Sequence, residues 1–122
     1  MIDGRVNRED VMSATYAYEK FWVGVQTLAT GSGRIKERLE SAYVHSLIRV
    51  NPEDLPGDLG IRFNSIQDEI TKLPAVRDEG TAAATLKEMS EERACQIAKE
   101  LVEIYEALAD TDPLRAAMRA DS

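Results

Sequence analysis

Apolar residues along the chain recur every three or four positions and almost nowhere alternate. Val11, Ala14, Tyr18, Phe21, Val25 and Leu28 form the first such row, flanked by Trp22 and Ala29. At about 100° per residue these positions share one side of a helix, so the spacing predicts a helix over 8–30. Asn7 suits its N-cap, and Glu9 and Asp10 set negative charge against the positive end of the helix dipole. Thr30-Gly31 ends it, because glycine takes the left-handed conformation beyond a last turn without steric cost.

Three further rows follow. Ile35, Leu39, Ala42, Tyr43, Leu47 and Val50 predict a second helix over 33–50, with Ser32 as its cap. "NPEDLPG" then interrupts the chain, since Pro52 and Pro56 each disfavour a helical residue before them. Leu59, Phe63, Ile66, Ile70 and Leu73 step by four, three, four and three, which predicts a helix over 57–73 closed by Pro74. Ala94, Ile97, Leu101, Ile104 and Leu108, with Ala98 and Tyr105 beside them, lie within a fourth helical segment over 81–110. Leu86 and Met89 are out of phase with that row, and a break at Ser90, a residue suited to capping, reconciles them. Asp112-Pro113 has the form of a cap and first residue of a short turn over 113–119.

The expected fold is therefore a single all-α domain spanning 1–122, an up-and-down bundle of four helices without a sheet. It becomes five helices if the break at Ser90 is complete. Each apolar row is narrow and must be covered by the others, so no helix is expected to be stable alone.

Some apolar residues miss these rows. Met12, Tyr16 and Val23 fall together on another side of the first helix, near Thr27 and Thr30, and Val44 and Ile48 lie a turn apart on the second. Rows at helical spacing on two consecutive helices predict a surface patch, and a self-complementary homodimer is the expected occupant, two-fold dimers being the commonest assembly.

Composition narrows the classes. With 43% hydrophobic and 30% charged residues in 122, the chain can close a core unaided. No apolar stretch reaches the length of a membrane span, "MIDGRVNRED" lacks an apolar signal-peptide core, and Cys95 is the sole cysteine. A cytoplasmic location away from membranes is expected, with Cys95 a buried and unreactive thiol. The net charge of −7 favours protein partners over nucleic acid, whose phosphates it repels.

The stretch "GSGRIKER" is the one candidate anion site: Gly31, Ser32 and Gly33 expose backbone at a helix start, and Arg34 and Lys36 add charge. It lacks the preceding strand and the G-x-x-x-x-G-K-[ST] spacing of a P-loop. A plain helix–helix connection explains the same residues through helix stop and cap chemistry.

Catalytic groups are scarce. His45 is the only histidine, and Ala42 stands where a Glu-x-x-His pair of a di-iron bundle needs glutamate. Neither a metal nor a cofactor is expected. Arg38 and His45, in "RLESAYVH", are seven apart and share a helical face. An arginine followed by four to six residues and a histidine is similar to the motif of HEPN ribonucleases, small helical bundles that cut RNA as dimers. That resemblance covers eight residues, on the second helix instead of a later one. It implies that His45 would move a proton and Arg38 would stabilise phosphate charge, both meeting their symmetry mates across an interface. The carboxylates Glu92, Glu100, Glu103, Glu106 and Asp110 form a solvated face. The leading expectation is a non-catalytic interaction or regulatory module, with the ribonuclease as its alternative.

Overall fold

The computed structural model describes residues 8–75 and 80–111, the first four of them as backbone only. They form five α-helices: α1 (Arg8–Thr30), α2 (Ile35–His45), α3 (Asp58–Ile70), α4 (Thr81–Glu88) and α5 (Glu91–Thr111). Two 3-10 turns, Leu47–Arg49 and Pro52–Asp54, lie between α2 and α3. No strand occurs among the described residues, and the fold is an all-helical bundle. The Asn7 cap and the turn over 113–119 lie outside the described residues.

α1 and α2 run antiparallel, since Arg38 reaches the Leu28 carbonyl at one end while Gly24 meets the Leu47 side chain at the other. α5 packs against both. α3 is antiparallel to α5, linked by Arg62 to Glu103 and by Glu69 to Arg93, and α4 bridges α2 and α3. The centre comprises Phe21, Leu39, Phe63, Ile97, Leu101 and Ile104, each 0% exposed. Phe21 and Phe63 meet edge to face, centroids 4.9 Å apart at 65°, a favoured geometry for the ring quadrupoles. Tyr18 and Tyr105 stack at 5.5 Å on the α1–α5 flank, their hydroxyls 3.4 Å apart.

The helix limits differ from the periodic expectation where side chains divert the backbone. α2 ends at His45, five residues short of 50, because Ser46 (φ −138°, ψ −59°) leaves the helical conformation. The 3-10 turn that follows keeps Leu47 and Val50, three apart, on one buried side and turns Ile48 outward. α3 stops at Ile70, not at 73: Thr71 donates its hydroxyl to the Gln67 carbonyl, and the Leu73 N–H goes to Thr85 Oγ1 on α4. The segment over 81–110 is two helices. Met89 is extended (φ −75°, ψ 144°), and Ser90 Oγ accepts from the Arg93 N–H to start α5. Trp22, expected to flank the core, is 49% exposed. It lies about 100° round the helix from Phe21, beyond the flank that Tyr18 fills. Cys95 is likewise exposed, not buried.

The α3–α5 contact carries the best-formed ion pair. Arg93 donates from Nε and Nη2 to the two carboxylate oxygens of Glu69, both at 2.6 Å, and from Nη1 to Gln96. These hydrogen bonds hold the Glu69 carboxyl below its ordinary value of 4.5, against a smaller opposing effect of burial. A depressed folded-state pKa means the pair's stabilisation is complete above that ordinary value and is lost as pH falls through the lower one. Urea titrations of wild type and Glu69→Gln at several pH values are expected to show a steeper loss of stability below about pH 4.5 in the wild type. Parallel pH profiles would refute this.

Candidate functional site

The charges of the glycine loop meet groups of the chain itself. Gly31 N–H returns to the Thr27 carbonyl at 2.8 Å, and Gly33 adopts a φ of 91°, the region open to glycine. Arg34, not Ser32, holds the cap position of α2 with an extended backbone. Its N–H is directed at Glu37 Oε1, 3.5 Å away. A Cβ on Gly33 would meet the other Glu37 oxygen at 2.5 Å, so a carboxylate of the chain itself occupies the mouth of this helix. An external anion would have to displace it.

The cations are engaged as well. Arg38 Nη1 donates to the Leu28 carbonyl at 2.8 Å, satisfying a backbone acceptor in the last turn of α1. Lys36 Nζ donates to the carbonyls of Lys87 (3.2 Å) and Met89 (2.9 Å), where α4 ends. Arg34, largely exposed, lies 4.0 Å from Glu91. Gly31, Ser32, Gly33, Arg34 and Lys36 thus lie at the corner between α1 and α2, with Lys36 bonded to carbonyls at the end of α4 and Glu37 set against Gly33.

The same geometry bears on Arg38 and His45. A catalytic pair needs both side chains free at the surface. His45 is exposed, but the Arg38 guanidinium is turned into the α1–α2 corner, and its Nε is buried there without a protein partner. Within one subunit the two side chains therefore point to different surroundings, Arg38 to the α1–α2 corner and His45 to the surface.

What the helices leave outward is apolar. Met12 is 63% exposed, Tyr16 41%, Val23 39%, Val44 41% and Ile48 52%. The three on α1 fall within about 40° of one another, opposite the buried Ala17, Phe21 and Leu28. Thr27 and Thr30 continue the row, and each hydroxyl donates to the carbonyl four residues back (Val23, 3.0 Å; Gln26, 2.8 Å). Lys20 Nζ lies 5.4 Å from the Tyr16 ring centroid, a cation–π arrangement. Gly24, whose missing side chain lets Leu47 approach, joins α1 to the 3-10 turn bearing Ile48.

Ile61 escaped the periodic reading. It falls off the α3 row, is 71% exposed, and borders an open depression of about 520 Å³ with Pro52, Glu53, Gly57 and Asn64. Its only signal in the sequence was an isoleucine out of phase with Leu59 and Phe63. Among the described residues no three His, Cys, Asp or Glu side chains converge as metal ligands, and no helix is long and apolar enough to cross a membrane.

The chain matches no protein-family model, no curated protein and no solved structure. The site is therefore characterised by its chemistry alone, an exposed row of apolar side chains on α1 and at the α2 end.

Proposed function

We propose that this protein is a small, non-catalytic helical interaction module that works as a homodimer in the cytoplasm, binding another protein or regulating its assembly. The supporting observation is the exposure of Met12, Tyr16 and Val23 on one face of α1, together with Val44 in the last turn of α2 and Ile48 in the 3-10 turn that follows it. Large apolar groups in ordered rows cost free energy in water that a second copy of the same surface recovers. Two-fold pairing needs only one such surface, because each copy presents to its partner what it receives. The net charge of −7 suits a protein partner and opposes binding to nucleic acid.

The test is mass in solution. Wild type is expected to sediment as a dimer at tens of micromolar, and Ile48→Glu as a monomer with unchanged helical circular dichroism. Two carboxylates buried at a symmetric contact weaken association by about a hundredfold or more. Ile48 is half exposed in the isolated subunit, so its replacement should leave the fold intact. A monomeric wild type would remove the proposal.

A further inference from the structure

α4 differs from the other helices in what holds it. It has eight residues, and its buried positions are Ala82, Ala84, Thr85 and Leu86, only one of them a large apolar side chain. α5 by contrast buries Ile97, Leu101, Ile104 and Leu108. Burial stabilises in proportion to apolar area, so detaching α4 costs far less than detaching α5. Both ends have non-helical backbone: Gly80 (φ −75°, ψ 168°), and Met89 (φ −75°, ψ 144°) before Ser90.

The polar ties of α4 to the bundle include two between described residues. One is the Leu73 N–H to Thr85 Oγ1 bond at 2.9 Å, with Thr85 passing its own proton to the Thr81 carbonyl at 2.7 Å. The other is Lys36. From the first turn of α2 its ammonium spans to the Lys87 and Met89 carbonyls, acceptors that the end of α4 leaves without helical donors. Positive charge at a helix C-terminus also meets the negative end of its dipole. Because the ammonium sits on a different helix, this favourable contact exists only while α4 is docked.

We infer that α4 is a flap that opens as a unit about Gly80 and Met89–Ser90, with the Lys36 ammonium as its latch. Opening separates α4 from α2 and α3 and leaves the α1–α2–α5 contacts in place. The flap is a low-stability unit of the kind that local opening selects, bounded by irregular backbone and lightly buried. It does not depend on the dimer, since neither Met12, Tyr16 and Val23 nor Val44 and Ile48 belong to it.

Native-state amide hydrogen exchange on the full chain tests this. In wild type, the amides of 84–88 are expected to exchange together and faster than those of 97–108. Lys36→Met is expected to accelerate the α4 amides roughly tenfold while leaving α1 and α5 amides unchanged, and Lys36→Arg to restore most of the protection. Three results would overturn the inference: α4 exchanging only with global unfolding, Lys36→Met accelerating every helix equally, or Lys36→Met leaving α4 protection intact. A subunit found to be monomeric would leave it standing.

Discussion

Phe21→Ala is expected to lower the free energy of unfolding by about 3–5 kcal/mol, the range for emptying a phenylalanine site in a packed core. Phe21 is wholly buried, and its ring abuts Phe63, also wholly buried, at 4.9 Å. Phe63 belongs to α3, and α1 also packs against α2 and α5, so closing the hole would require more than one helix to move. The melting temperature should fall by on the order of 10–20 °C. Urea and thermal denaturation followed by circular dichroism measure both quantities. A loss under 1 kcal/mol would mean that Phe21 is not at the junction of these helices.

Gly60→Ala separates packing from propensity. Alanine in place of a helical glycine ordinarily gains up to about 1 kcal/mol. Here the new Cβ would meet the Pro52 carbonyl oxygen at 2.5 Å, a backbone atom of the 3-10 turn packed against the start of α3. The turn must move, and the expected net outcome is a loss of about 1–3 kcal/mol. Gly80→Ala provides the contrast: no atom of the described residues lies within 4 Å of its Cβ position, and its φ is −75°. A net change within about 0.5 kcal/mol is expected there, because the entropic gain from replacing glycine is offset by alanine's poor fit to the cap position. Equal effects at the two glycines would show that the turn yields.

Much of the architecture is legible in the spacing because a helix repeats every 3.6 residues and its buried face must repeat with it. Phe21, Leu39, Phe63 and Leu101, at the middle of those rows, lie in the core as that rule requires. Leu86 and Met89, out of phase with Ile97, marked the place where one helix becomes two. Where the spacing misled, a side chain had intervened. Leu47 and Val50 suit an α-helix and a 3-10 turn equally well, since both bury residues three apart. Leu73 continued the α3 row, yet its N–H is taken by Thr85, twelve residues on.

The candidate site divides along the same line. The outward positions of Met12, Tyr16 and Val23 follow from angles within one helix, which sequence supplies. The loop "GSGRIKER" does not yield to the same treatment. Its cations read as free charge because a sequence does not show which carbonyls lie within reach. Lys36 bonds to atoms 51 and 53 positions away, and Arg38 to one ten positions back.

By itself, then, the sequence determined that this chain is helical, where its apolar rows run, and which apolar residues those rows leave over. Periodicity is a local property, and each of these conclusions needs only neighbours within two turns. The tertiary structure alone decided the fate of the charges: Glu37 at the head of α2, Lys36 at the foot of α4, Arg38 under the α1–α2 corner. Helix termini expose backbone acceptors and donors at places fixed by local structure, but the groups that satisfy them come from wherever packing brings a flexible side chain within 3 Å.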